Sequence, residues 1–254
     1  MLRDRLDHVR QRIREACQRC GRDASSVTLI AVTKMVDATT IREAVALGLR
    51  DLGENRVQEA QEKRRAVGDG VRWHLVGHLQ RNKAKPAVEL FDAIHSVDTP
   101  ELVEELDRQA SRQGRGVGQG AGGRGRTHPL QVLIQVNVSR EATKSGCGVD
   151  EVHDLAQHVM RQPNLQLAGL MTIAPFADNP EAVRPVFRRL RALRDELQQA
   201  LPPVPHAPRP VPLLLSMGMS QDFEVAIEEG ADIVRIGTAI FGARDKGQGA
   251  RESQ

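Results

Sequence analysis

Tyrosine is absent from the chain, and aromatic residues make up only 2% of it. Single-stranded nucleic acid is usually read by stacking bases on aromatic rings, so this scarcity disfavours that class of function. Cysteine is scarce too. There are three, an odd number that argues against a disulfide framework. Cys17 and Cys20 have C-x-x-C spacing, but they lie in a helical pattern without a second pair of metal ligands. They read as two reduced thiols on a helix face. No run approaches the about 18 consecutive apolar residues of a membrane-spanning helix, so no membrane partner is expected. The first residues, Met1 to Arg14, are dense in Arg and Asp and lack the apolar stretch of a secretory signal. A cytoplasmic location is the expectation. Lysine is rare: six of the 36 basic residues are Lys and 30 are Arg. The net charge is only +3, so the basic residues form no single large block and no nucleic-acid partner is expected.

What is present is a repeating unit. Residues 2–20 carry Leu2, Leu6, Val9, Ile13 and Ala16 at alternating spacings of four and three, which predicts an amphipathic helix. Val27 to Thr33 is a β-branched run that reads as a buried parallel strand. Asp37 is placed to cap a helix that stops at Gly48. Further strands are predicted at Leu49–Asn55, Trp73–Leu79, Ala93–Asp98, Leu130–Val138, Leu167–Ile173, Val211–Ser216 and Asp232–Ile236. Thr99-Pro100 opens a helix with Pro at its first position. A long helix follows Asn179-Pro180, with Pro185 expected to bend or delay it. Eight strands alternating with helices in 254 residues predict an α/β protein, a single-domain (β/α)8 TIM barrel with an extra N-terminal helix. An open doubly wound sheet is the alternative, but no G-x-G-x-x-G follows a strand.

Two segments are compositional. Residues 111–127 are rich in Gly and Arg and are read as a flexible loop. Residues 202–212 hold six prolines and are read as an extended connector. A short disordered tail is expected at about residues 245–254. The arginines of the first segment leave open a nucleic-acid module as a third class of function.

In a parallel barrel the functional residues sit where strands end. Lys34 ends an apolar run, where partial desolvation favours a neutral amine able to attack a carbonyl and form a Schiff base. A surface lysine with its stem packed down is the plainer reading. Ser216-Met-Gly-Met-Ser220 and Gly237-Thr238 follow strands seven and eight, the usual phosphate site of this fold. Capping and turn formation explain the same residues, and Asp222, read as two residues into the next helix, fits capping as well. Arg235 shares a strand face with Gly237 and either reaches a bound ring or forms a structural ion pair. A phosphate plus a carbonyl suits two classes, the Schiff-base sugar-phosphate aldolases and the pyridoxal 5′-phosphate (PLP) proteins. His74 and His78 form H-x-x-x-H, but on a strand they stand about 13 Å apart, too far for one metal.

Seven segments together resemble a known family. LIAVTK ends at Lys34, DLGENRVQEA spans 51–60, WHLVGHLQRNK 73–83, IHSVD 94–98, GLMTIAP 169–175, LSMGMSQDFEVAI 215–227 and VRIGTAIFGAR 234–244. In this order they resemble the pyridoxal phosphate homeostasis proteins, over essentially the whole chain. The resemblance implies the barrel of fold-type III PLP enzymes such as alanine racemase. It implies that Lys34 holds PLP as a Schiff base and that Ser216, Gly218, Met219, Ser220, Gly237 and Thr238 surround the phosphate. It further implies that Arg235 faces the pyridine nitrogen and that Asn55 and Met171 line the cofactor. The implied role is carriage of PLP in vitamin B6 homeostasis, with PLP-dependent apo-enzymes as recipients.

Three features favour a carrier over a PLP-dependent racemase or lyase. A fixed positive charge at Arg235 keeps a neighbouring pyridine nitrogen unprotonated and weakens the electron sink. Alanine racemase is expected to use a Tyr as its opposite-face base, and this chain has none; His78 is the candidate substitute. The sequence ends soon after strand eight, without the racemase's additional β-domain, which points to an open PLP face and a monomer.

Overall fold

The computed structural model describes residues 1–116, 128–141, 144–201 and 212–242. The Pro-rich connector, except Pro212, and the expected tail lie outside the described residues, as does the Gly/Arg-rich segment from residue 117 onward. Eight parallel strands pair in sequential order and close into a barrel. They are β1 (Thr28–Val32), β2 (Asp51–Glu54), β3 (Arg72–Leu75), β4 (Ala93–Val97), β5 (Leu130–Gln135), β6 (Leu165–Met171), β7 (Leu214–Ser216) and β8 (Ile233–Ile236). The β1–β8 ladder, with Ile30 opposite Arg235, closes the sheet and excludes the open alternative.

Helix α1 (Leu2–Arg19) precedes the barrel. The crossovers contain α2 (Ala38–Ala46), α3 (Val57–Val67), α4 (Ala84–Leu90), α5 (Pro100–Arg112), α6 (Val152–Met160), α7 (Arg184–Ala200) and α8 (Phe223–Glu228). The short α9 (Thr238–Phe241) follows β8. Local chemistry sets several boundaries. The Asp37 carboxylate caps α2 by accepting from the Thr40 N–H, and Gly48 follows with φ +90°. The Thr99 hydroxyl caps α5, with Pro100 in its first turn. Pro185 falls in the first turn of α7, behind a 3-10 turn at Pro180–Val183, so it delays that helix without breaking it.

Period-two alternation sorts the strand residues into two layers. Leu52, Trp73, Leu75, Ile94, Ile134, Leu170, Leu215, Val234 and Ile236 face outward and join the helix faces in one large apolar core. The inward positions are different. Ile30, Leu133, Ala168, Met171 and Ile233 form a small separate cluster. The remaining inward space is polar, with His74, His95, Gln135, Ser216 and Arg235 all buried. Burying one Leu or Phe side chain contributes about 1.5–3 kcal/mol, so the outer layer dominates the stability of the fold.

Sequence expectation and structure part in a few places. The strand predicted at Trp73–Leu79 ends at Leu75, which leaves His78 in the following loop. Asp222 precedes α8 as its N-cap and is not inside it. Ser111 and Arg112 complete α5, and Arg115 is buried with its guanidinium donating to the carbonyls of Val88 and Phe91. The Gly/Arg-rich segment therefore begins as packed structure. The stem and charge of Arg115 satisfy the end of α4, which composition alone does not reveal.

Candidate functional site

Lys34 stands two residues beyond the end of β1, and its backbone is held on both sides. On one side Thr33 is buried; its hydroxyl donates to the Glu54 carboxylate, and its carbonyl accepts from Lys63 Nζ at 2.7 Å. On the other side Met35 takes φ +58° and donates its N–H to Glu59 at 3.1 Å. Lys63 links the two anchors, lying 2.8 Å from Glu54 and 3.2 Å from Glu59. Burial raises the Glu54 carboxyl above its ordinary range, opposed by Lys63 and Thr33. The Lys34 side chain itself is exposed.

Opposite Lys34, the loops after β7 and β8 meet. Gly218 has φ +93°, and a Cβ there would lie 2.6 Å from Ala226 Cβ and 2.9 Å from Phe223 Cα. Only glycine satisfies both conditions. The Met219 N–H donates to the Asp222 carboxylate, which burial raises above its ordinary range against the pull of that N–H and of Arg235. The Ser220 hydroxyl accepts from the Ala239 N–H at 3.3 Å, tying this loop to the one that carries Gly237 and Thr238.

Arg235 is buried between them. It donates to Ser216 Oγ and to the Thr172 carbonyl, both at 2.8 Å. Burial pulls it down to about 10, with Asp222 opposing, so it stays charged at neutral pH. Among the described residues it makes no ion-pair contact within 4.0 Å; its direct partners are a hydroxyl and a carbonyl. The structural ion pair weighed from the sequence is not the arrangement found.

A cleft of about 630 Å³ joins these parts. Lys34, Asn55, Met219, Ser220, Arg235, Gly237 and Thr238 all border it. Gly77 packs directly on the Asn55 backbone, where a Cβ would overlap the carbonyl oxygen. Ser216, Gly218 and Met171 do not border the cleft. Ser216 stands behind Arg235, Gly218 shapes the turn, and Met171 packs inside the barrel. Ile173, two residues further along, takes the wall position. Sequence reasoning missed Lys144 and the loop from Ala174 to Ala177, where Phe176 is 76% exposed at the mouth. An aromatic directly after Pro175 in a chain with five Phe was the available signal.

His78 is half exposed and lies 3.7 Å from Asp98. It borders a smaller adjoining recess of about 110 Å³, with Gln135, Asn137, Lys144, Ser145 and Ile173. His74 points into the barrel, away from His78. Among the described residues no three His, Cys, Asp or Glu side chains are grouped to hold a metal ion, and the three cysteines are free thiols. No helix among the described residues is long and apolar enough to cross a membrane.

Comparison with known proteins matches this geometry to a family. Residues 5–245 match the model of the alanine racemase N-terminal domain. The pyridoxal phosphate homeostasis protein of Aquifex aeolicus (strain VF5) is 44% identical over 243 residues, covering 95% of this chain and 97% of that protein. PipY of Synechococcus elongatus PCC7942, solved without PLP and with PLP bound, is 36% identical, with TM-scores of 0.78 and 0.76 and coverage of 95% of this chain and 100% of PipY. The alanine racemase of Clostridium difficile 630 shares the fold alone: 15% identity and a TM-score of 0.67, over 96% of this chain and 56% of the racemase. The chain belongs to the alanine racemase N-terminal domain family, and within it to the pyridoxal phosphate homeostasis proteins.

Proposed function

We propose that this protein binds PLP in the cleft between Lys34 and the β7 and β8 loops, and serves PLP homeostasis as a carrier without committed catalysis. The observation that carries the reading is the convergence on one cleft of a primary amine, a buried cation and a hydroxyl-lined pair of loops. The donor set fits the group. Gly237 leaves room that a side chain would narrow, since a Cβ there would come within 3.3 Å of the Val32 carbonyl oxygen. The hydroxyls of Ser220 and Thr238 and the backbone of Gly237 suit a phosphate.

PLP supplies an aldehyde that condenses with a primary amine. Lys34 is the amine that would hold it covalently, with its backbone fixed by the Glu54–Lys63–Glu59 set. Arg235 would face the ring as a lasting hydrogen-bond donor that does not give its proton up to the ring nitrogen. Asn55 and Met219 would flank it. Met171, Ser216 and Gly218 would act from behind, by supporting the residues that touch it. The exposure of Lys34 suits release of cargo to PLP-dependent apo-enzymes, and we place the protein in the cytoplasm as a monomer.

An absorption spectrum of the purified protein with PLP tests the core of this, followed by borohydride reduction and peptide mapping. The expected result is a visible band and a pyridoxyl group fixed on Lys34, both lost in Lys34→Ala. A protein that stays colourless with added PLP overturns the reading. Exchange of amino-acid α-hydrogens in heavy water, well above the rate with free PLP, would replace the carrier with a racemase or lyase.

A further inference from the structure

The cleft uses Arg235, but Arg235 is only the last member of a polar row running through the barrel. Its Nη1 donates to Ser216 Oγ at 2.8 Å. Ser216 Oγ lies 3.0 Å from His95 Nδ1. His95 Nε2 lies 3.1 Å from His74 Nδ1, and His74 Nε2 lies 2.9 Å from Asp51 Oδ1. Asp51, the first residue of β2, is paired with Arg72 at 2.8 Å. Asp51, His74, His95, Ser216 and Arg235 are each at most 7% exposed.

Donor accounting gives this row a direction. Guanidinium only donates and carboxylate only accepts. Asp51 is a carboxylate: burial raises it, but hydrogen bonds from His74 and Arg72 outweigh that and hold it below its ordinary range. His74 must therefore carry its proton on Nε2, which leaves Nδ1 bare if the ring is neutral. The bare Nδ1 requires a proton on His95 Nε2. Neutral His95 then presents a bare Nδ1, which accepts from the Ser216 hydroxyl. Burial, with His74 and Arg235 on either side, drives His95 strongly toward the neutral form. With both rings neutral, one assignment satisfies every contact. Reversing His95 alone sets two lone pairs against each other at 3.1 Å.

We propose that His95 and His74 are positioning residues for Arg235, forming with Ser216 a one-way hydrogen-bond relay that ends on Asp51. The relay turns the Ser216 proton away from Arg235 and turns an oxygen lone pair toward it. It also gives a buried guanidinium, bonded directly only to neutral acceptors, a remote counter-charge. Its bearing on PLP rests on the reading of Arg235 as the ring-facing cation.

The test uses the full chain, labelled with 15N-histidine and free of PLP, in long-range proton–nitrogen correlation spectra at neutral pH. The expected result is that His74 and His95 each carry one proton, on Nε2. A proton on His95 Nδ1, or a mixture of tautomers, overturns the relay. His74→Phe removes the acceptor for His95, and should produce mixed tautomers at His95 and about a tenfold rise in the Kd for PLP, the loss of about one hydrogen bond. His74→Gln restores both an acceptor and a donor, and should return both readouts to those of the unsubstituted chain. Equal weakening of PLP binding in both variants, with His95 unchanged, would mean packing alone and would overturn the proposal. The spectra report on the relay without PLP and the titration reports on the cleft, so failure of one is told apart from failure of the other.

Discussion

The Lys63 ammonium donates to the carbonyl oxygen of Thr33, 2.7 Å away, in the residue immediately before Lys34. A lysine with 11% of its side chain exposed thus fixes the backbone of a lysine that is itself exposed. Lys63 also neutralises Glu54, which is fully buried. Removing one partner of such a pair leaves an uncompensated charge, at a cost of about 3–5 kcal/mol.

Lys63→Met should therefore lower the urea midpoint sharply. Adding Glu54→Gln removes the orphaned charge and should recover at least half of the loss. Covalent capture of PLP by Lys34 should be slowed in both the single and the double variant, because in each the Thr33 carbonyl has lost its anchor. Equal stability of the single and double variants would contradict the pairing.

Asp51 gives the protein an acid-dependent term. Its carboxyl is depressed in the folded state, so its contribution is present above the unfolded value of about 3.9 and is lost as pH falls through the lower folded value. At pH 7, Asp51→Asn should cost about 1–3 kcal/mol by weakening the bonds to His74 and Arg72. The gap between the two proteins should close in acid below about pH 4. Urea titrations at stepped pH values measure it, and a gap that widens in acid would reverse the sign argued here.

Gly218→Ala combines a left-handed backbone with a contact 2.6 Å from Ala226 Cβ. Strain and overpacking each cost about 1–3 kcal/mol. The expected outcome is a lower Tm and weaker PLP binding, because the turn presenting Met219 and Ser220 must shift. An unchanged affinity would detach this turn from the cofactor.

Cys147 is buried, and burial pushes its thiol up to about 12. It should resist Ellman's reagent at pH 8 in the folded protein and react once urea unfolds the chain. Rapid reaction in the native state would show that the α6 side of the barrel opens locally.

Much of this was legible in the sequence, for physical reasons. All eight strands were placed from the sequence, the clearest being the apolar runs of β1 and β5, because a parallel strand is covered on at least its outer face by helices. Thr99-Pro100 and Asp37 marked helix starts through capping chemistry that needs no tertiary context. Helix α3 was silent because only Val57 and Ala60 are buried along its 11 residues. Lys34, Arg235 and the β7 and β8 loops could be singled out, since strand ends are where such a barrel places function. The Lys63 clamp and the His74–His95 row could not. The first joins α3 to the ends of two neighbouring strands and the second joins side chains across the lumen, relations that no local pattern encodes. Met171 shows the same limit on a finer scale. Ala168 is an extra residue in β6 opposite the Val132–Leu133 step of β5, and that bulge lies upstream of the wall position, which falls at Ile173.

The separation of the two cores has a consequence for how such a chain can change over time. Its durability is vested in the contact layer between sheet and helices, and its chemistry lies at a narrow lumen whose apolar cluster is small and whose other buried side chains are largely polar. Drift in the outer layer alters how long the protein survives and leaves its cargo alone. Drift at the cleft end of the lumen alters what is held and how it is let go, and leaves the outer apolar layer intact. The two properties can be tuned by different mutations, so a scaffold of this kind can pass between storing a reagent and using it without first having to be rebuilt.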